Sequence, residues 1–388
     1  MKISPVLFNA PKFQNNTPLS KKAGFEQKYD YALLNNAQCT MFKPITFKSS
    51  EIARTSEPNL STYIESMRRK TKNSTVMTYF INGISKIDTD SKRQNKPISI
   101  LDVGCCDGQL IRSLREFLPK NTNFNGLDLS QGMLDIGNSI DEKEGNKTNY
   151  TIGNAFDLPF KNNKQDVIIA SSIMHELYSY ASEEYNEESY SKASILHFMQ
   201  QAYECLKPGG VLLIKDPATP QIDEYEPIKI ANANKFDGEM PSIKDDEDLK
   251  NADITKLCTY DKLRRFCMDF YPAKDKVYFD KNGDCIMPRW LVTEFVRHRK
   301  WLRTPENWAY EIKENYGTMR PDEMSEFAQK VGFRPVRIEN ISIPNEKNLY
   351  AIQEGEFELI DMDNNKLSLE DFPMFLEVVL RKPRENTV

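Results

Sequence analysis

Ser99-Ile100-Leu101-Asp102-Val103-Gly104-Cys105-Cys106-Asp107-Gly108-Gln109 is the stretch that decides how this chain folds. Its first half is an apolar run, the mark of a buried strand. The run breaks at Gly104, crosses a small polar turn, and resumes as an amphipathic helix from about Gln109 to Phe117. A strand, a glycine turn and a helix N-terminus bring main-chain N–H groups close to a ligand. Neither Gly104 nor Gly108 carries a Cβ, so the backbone itself can approach. Phe124-Asn125-Gly126-Leu127-Asp128-Leu129-Ser130 then reads as a second strand ending in a carboxylate. An acid at that tip can accept both hydroxyls of a ribose. The turn alone would also suit a nicotinamide or flavin cofactor, or a plain connection.

Outward from this point, residues 98–216 alternate strand and helix. Strands are expected at 98–103, 123–128, 149–153, 166–171 and 210–215, and helices at 109–118, 131–139 and 191–206. Such alternation implies a parallel sheet covered on both faces. Ligands on such sheets sit beyond the carboxyl ends of the strands. Gly104, Asp128, Asn154 and Ser171 all fall at those ends.

Four motifs in order carry a family resemblance. They are Leu101 to Gly108, Gly126 to Ser130, Gly153-Asn154-Ala155-Phe156-Asp157-Leu158-Pro159-Phe160, and Leu206-Lys207-Pro208-Gly209-Gly210-Val211-Leu212-Leu213-Ile214. Together they resemble the class I S-adenosylmethionine-dependent methyltransferases over about residues 95–216. The resemblance implies an α/β fold, a Rossmann-like doubly wound seven-stranded sheet with an antiparallel edge strand. It also implies S-adenosyl-L-methionine as cofactor and methyl transfer by in-line displacement.

The same resemblance assigns site residues. Gly104, Cys105 and Gly108 would approach the amino-acid and ribose parts of the cofactor. Asp102 would hold the turn or receive the α-ammonium through water, and Asp128 would accept the ribose hydroxyls. Met133 would pack on adenine, with Asn154 and Ala155 at the adenine edge; Leu129 and Ser171 complete the set. Two positions depart from the pattern: Cys106 stands where glycine is usual, and Asn154 where aspartate is. A positive φ at Cys106 would be costly, so the flanking glycines are expected to take the demanding dihedrals. Ser171-Ser172-Ile173-Met174-His175-Glu176-Leu177 would face the transferring methyl. His175 there reads either as a general base for a hydroxyl or amine acceptor or as a packing histidine. Tyr178 and Tyr180 are further pocket candidates.

The rest of the chain is read more coarsely. Residues 1–54 form an N-terminal arm without clear period, rich in Asn, Pro, Lys and Ser, with a short strand possible at Pro44-Ile45-Thr46-Phe47-Lys48. Residues 55–216 form the cofactor-binding core, opened by an apolar stripe at Tyr63, Met67, Val76, Phe80, Ile84 and Ile87. Arg68-Arg69-Lys70 is a solvated helix face or an anion contact. Residues 217–320 are too long for an α/β loop and should form a mostly helical lid, with helices around Leu257–Tyr271 and Trp290–Tyr316. Residues 321–388 return to the core, with a helix starting near Pro321 and stopping at Gly332. Strands follow at 334–343 and 374–380, and a hairpin tip at Asp361–Lys366.

The composition bounds the function. Of 388 residues, 39% are hydrophobic and 28% charged, ordinary for a globular chain, and the net charge of −5 excludes a wholly electrostatic nucleic-acid binder. One basic stretch, Arg289, Arg297, Arg299, Lys300 and Arg303 against Glu294, is an anionic-substrate contact or a packed helix with charges in water. Seven scattered cysteines suggest reduced thiols. No paired Cys or His motif marks a metal site. No apolar run is long enough to span a membrane, and neither a secretory leader nor a lipidation motif is evident, so a cytoplasmic location is expected. The leading expectation is a methyltransferase acting on a small-molecule O or N acceptor. RNA or protein acceptors, and a non-catalytic binding protein with a degenerate cofactor site, stay open beside it.

Overall fold

The computed structural model describes residues 74–162, 164–180, 190–220, 225–233, 243–299, 305–341, 357–367 and 372–384, all within a unit spanning residues 44–388. The N-terminal arm, the short strand at 44–48, the Arg68-Arg69-Lys70 cluster, and Tyr63, Met67, Lys300, Trp301 and Arg303 lie outside the described residues.

A seven-stranded sheet forms the core. In chain order its strands are β1 (Ser99–Val103), β2 (Asn123–Asp128), β3 (Asn149–Ile152), β4 (Gln165–Ser171), β5 (Leu206–Pro217), β9 (Arg334–Ile341) and β11 (Phe375–Arg381). Their spatial order is β3-β2-β1-β4-β5-β11-β9. The first five run parallel. β11 is antiparallel to both of its neighbours, β5 and β9, and so lies one position in from the edge. The order reverses between β1 and β4, the switch point where such sheets leave a crevice. Ile100, Leu101, Val103 and residues 167–170 are fully buried, as continuous apolar runs in a sheet covered on both faces must be.

Helices α1 (Ser74–Ile84), α2 (Asp90–Arg93), α3 (Gln109–Arg115), α4 (Gln131–Glu144), α5 (Met174–Ser179) and α6 (Lys192–Cys205) fall among these strands. Phe80, Ile84, Ile111, Leu114, Val167 and Leu213 share one apolar cluster that joins α1 and α3 to the sheet. Tyr79 adds a polar clamp: its hydroxyl oxygen lies 2.7 Å from the carbonyls of Ile214 and Val378, on β5 and β11. Helix α4 is capped by the Ser130 side chain and stops at Gly145, which takes the left-handed conformation. It therefore runs five residues past the expected end at 139.

The insertion after β5 contains α7 (Asp246–Asn251), α8 (Thr259–Asp269), α9 (Arg289–His298) and α10 (Pro305–Glu311), so the expected helices are present. They pack on a second sheet. Strands β6 (Pro227–Ala231), β7 (Tyr278–Phe279), β8 (Cys285–Pro288) and β10 (Glu358–Ile360) form it in the order β10-β6-β8-β7, all antiparallel. Leu263, Phe266, Phe295, Trp308, Phe357 and Phe372 belong to a separate apolar core beneath it. This sheet was not expected from the sequence. Its strands are two to five residues long, and β10 comes from beyond the insertion, so no local alternation announces it. The last core helix, α11 (Pro321–Val331), begins and ends where its proline and Gly332 say it should.

Candidate active site

The turn after β1 is bent onto β2 by two hydrogen bonds. Gly104 N and Cys105 N donate to Leu127 O at 2.8 and 3.0 Å. Gly104 and Gly108 both have positive φ, and so does Cys106, at φ 52°. The expectation that the glycines alone would take the demanding dihedrals is therefore corrected: the cysteine takes one as well. A Cβ at that φ costs about 1–2 kcal/mol. Two contacts offset it. Cys106 N donates to Asp128 Oδ2 at 2.8 Å, and the thiol is buried in a small cluster with Met133.

A buried polar network holds the turn from behind. Arg112 donates to Asp107 O at 2.6 Å and to Asp107 Oδ2 at 3.1 Å. It also reaches Asp141 Oδ1 at 3.5 Å, and Asp141 Oδ2 accepts from the Thr148 hydroxyl at 2.5 Å. Tyr150 fits its ring against Gly108, Gly126 and Gly137, at each of which a Cβ would collide with the tyrosine. Asp107, Arg112, Asp141 and Tyr150 escaped the sequence reading. The available signal was the glycines themselves: Gly126 inside a strand and Gly137 inside a helix mark a close approach by some other group.

Asp128 sits at the end of β2, with Oδ1 accepting from Ser130 N at 2.9 Å and Oδ2 from Cys106 N. Burial raises its pKa above the ordinary carboxylate value, against the pull of those backbone donors. Asp102 on neighbouring β1 is buried, and burial together with the charge of Asp128 pushes it up to about 8. Among the described residues no lysine or arginine forms an ion pair with either acid. A buried acid and a half-buried one, without a cation among the described residues and beside the glycine turn, suit a ligand that brings its own positive charge and hydroxyls. S-adenosylmethionine, with an ammonium, a sulfonium and a ribose, fits that description.

The remaining expected cofactor residues lie at or just beyond the carboxyl ends of β2, β3 and β4. Gly153 N donates to Asp128 O at 3.0 Å, bringing Asn154 and Ala155 beside the acid. Asn154 Oδ1 accepts from Phe156 N at 2.9 Å, closing a local turn, and His197 Nε2 meets Phe156 O at 2.8 Å to hold that turn. Met133 is buried in the first turn of α4, and Leu129 is half-buried before it. Ser171 ends β4, next to β1. After it, Ser172 has φ 56°, and the next side chain, Ile173, lies over Gly104. Cys106 and Ser172 thus put two strained non-glycine residues at the ends of adjacent strands.

His175 lies on α5, buried between two carboxylates. Its Nδ1 is 2.8 Å from Asp216 Oδ1, and its Nε2 is 3.6 Å from Glu314 Oε2. Asp216 also accepts from Met174 N at 2.8 Å. Burial alone would lower the imidazole pKa, but the charge and hydrogen bond of Asp216, with Glu314 behind, outweigh it and raise it to about 9. The two flanking carboxylates thus favour the protonated ring over the neutral one. Tyr178 is buried one turn further on, and Tyr180 donates to Glu314 Oε1 at 3.0 Å.

Of the basic stretch of the insertion, Arg289, Arg297 and Arg299 are described, and Arg297 is buried. Arg289 pairs with Glu226 at 2.5 Å. Arg297 pairs with Glu294 at 3.1 Å and donates to the carbonyls of Ala218 and Pro373. Arg299 lies over the Phe357 ring.

Residues 100–210 match the family model described as "Methyltransferase domain". The matched segment holds the glycine turn and strands β2 to β4, so residues 100–210 form a methyltransferase domain with the sheet order described above. It is 25% identical over 137 residues to a demethylmenaquinone methyltransferase of Listeria welshimeri, an overlap covering 35% of this chain and 52% of that protein. It is 37% identical over 83 residues to O-methyltransferase phiE of a fungal species, covering 20% of this chain and 28% of that one. The chain thus spans about half the length, or less, of the curated relatives it matches. A solved S-adenosylmethionine-dependent methyltransferase from Mesorhizobium loti aligns with a TM-score of 0.37 at 18% identity, covering 75% of this chain and 95% of that one.

Proposed function

We propose that this chain transfers a methyl group from S-adenosyl-L-methionine to a small-molecule oxygen or nitrogen acceptor. The observation that carries the reading is the pair of buried Asp102 and half-buried Asp128, with which no described lysine or arginine pairs, beside the glycine turn at the sheet's switch point. When bound, the cofactor supplies an electrophilic methyl on a sulfonium whose departure leaves a neutral thioether. The chain's own part is therefore to bind, orient and exclude water. Asp128 takes the ribose hydroxyls on the lone pairs that Cys106 N and Ser130 N leave free. Asp102 balances the cationic end. Cys105 and Gly108 line the amino-acid side, Met133, Asn154 and Ala155 the adenine side, and Leu129 and Ser171 the crevice walls. The insertion at 217–320 acts as a lid that shapes the acceptor pocket, docked on the core (55–216 with 321–388).

Two features support a small acceptor. The matching relatives are named for demethylmenaquinone and for O-methylation, and Arg289 and Arg297 are spent on internal partners rather than on a polyanion. No helix among the described residues is long and apolar enough to cross a membrane; a cytoplasmic location accords with that. The deciding experiment is incubation of the purified chain with methyl-labelled cofactor and a fractionated cell extract. Label in the metabolite fraction is the expected result. Label in RNA or protein fractions assigns the other acceptor classes. Calorimetric binding without label transfer assigns a non-catalytic binder.

A further inference from the structure

The segment from Glu311 to Thr318 crosses from the insertion back to the core and is gripped from both sides. On the core side, Ser179 Oγ accepts from Asn315 N at 2.9 Å. The Tyr190 hydroxyl donates to Lys313 O at 2.9 Å, and Tyr180 and His175 meet the two oxygens of Glu314. On the insertion side, the Glu294 carboxylate accepts from Tyr316 N and Gly317 N, each at 2.8 Å. The His298 imidazole lies 2.9 Å from the carbonyls of both Glu311 and Glu314. Glu314 and Asp216 are both almost fully buried. A cation between two buried carboxylates offsets their desolvation, and the His175 ring stands between Asp216 at Nδ1 and Glu314 at Nε2.

We propose that His175 is a positioning residue, a charged clasp that joins Asp216 of the core to Glu314 of the insertion and so fixes the 311–318 strap beside the transfer site. The location of that site rests on the methyl-transfer reading; the clasp itself does not. Among the described residues, the groups facing His175 include Asp216 from β5, Glu314 from the strap, Glu176 from its own helix and the Tyr316 ring at 5.2 Å. The neighbouring Tyr190 hydroxyl is held protonated by burial and by Glu314. Because the imidazole pKa is raised to about 9 from an ordinary 6.5, the clasp is fully engaged below about pH 6.5 and is lost as pH rises through about 9.

Amide hydrogen exchange on the full chain tests this without any methyl acceptor. Protection of the Asn315, Tyr316 and Gly317 amides, corrected for the intrinsic base-catalysed rate, should hold at pH 7 and fall tenfold or more as pH passes about 9. His175→Gln and Glu314→Gln should each lose that protection already at pH 7, with circular dichroism confirming the fold. Protection independent of pH in the wild-type chain, or unchanged in folded variants, would overturn the clasp. Methyl transfer that increases as the imidazole loses its proton would overturn it in favour of a general base. Failure to bind S-adenosylmethionine with the pH-dependent protection intact would remove the functional reading and leave the clasp standing.

Discussion

The Cys106 amide and the Asp128 carboxylate are joined by a 2.8 Å hydrogen bond that ties a left-handed residue in the first turn to the acid closing the second strand. The bond places a strained backbone in direct contact with the group expected to grip the ribose. Strain of this kind persists where the surroundings over-determine it. Cys106→Gly should relieve about 1–2 kcal/mol of backbone strain while losing a thiol packed on Met133, so stability should change by less than about 1 kcal/mol and cofactor affinity should survive. Cys106→Val adds β-branching at positive φ and should weaken cofactor binding at least tenfold. Calorimetric titration of both variants checks the pair.

Asp102 gives the cofactor site a pH dependence of defined sign. With its pKa pushed up to about 8, the carboxyl is mostly protonated at pH 7 in the ligand-free chain. A cationic ligand favours the ionised form, so binding at pH 7 should release protons. Affinity should climb as pH rises towards about 8 and then level off. Calorimetry at pH 7 in buffers of different ionisation enthalpy should show the release. Asp102→Asn should abolish it and flatten the pH profile.

The parallel core was legible because its central strands carry apolar runs, as in Val167 to Ala170 and Val211 to Ile214, and because Val103 and Leu127 are followed at once by Gly104 and Asp128. The site residues were legible where they fall at those ends. The network behind them was not. Arg112 links Asp107 to Asp141, and Asp141 meets Tyr150, only after α3, α4 and β3 have packed, and no spacing along the chain encodes that meeting. The same holds for Glu314: it reaches His175 through a fold contact between segments 139 residues apart in sequence number (314 minus 175). It also holds for β10, whose partner β6 lies far upstream.

Gly137 should be a position where a better helix former is worse. Alanine in a helix interior ordinarily gains about 1 kcal/mol over glycine. Here its Cβ would stand 2.9 Å from Asp107 O and 3.0 Å from the Tyr150 ring. Gly137→Ala should therefore destabilise by about 1–3 kcal/mol, the usual cost of overpacking. The penalty should shrink in a Tyr150→Leu background, where the ring is gone. A double-mutant cycle by urea unfolding measures the coupling, which should exceed about 0.5 kcal/mol.

Arg297 separates the packed reading of the basic helix from a polyanion-binding one. It is almost fully buried, paired with Glu294, and donates to carbonyls at Ala218 and Pro373. It thereby pins α9 to the end of β5 and to the approach to β11. Removing one member of a buried pair leaves its partner uncompensated and costs about 3–5 kcal/mol. Glu294 retains two backbone donors, from Tyr316 and Gly317, so the lower end of that range is expected. Arg297→Ala should accordingly lower the urea midpoint sharply while leaving any weak, salt-sensitive RNA association unchanged. A variant that kept its full stability but lost such association would instead assign the helix to a nucleic-acid surface.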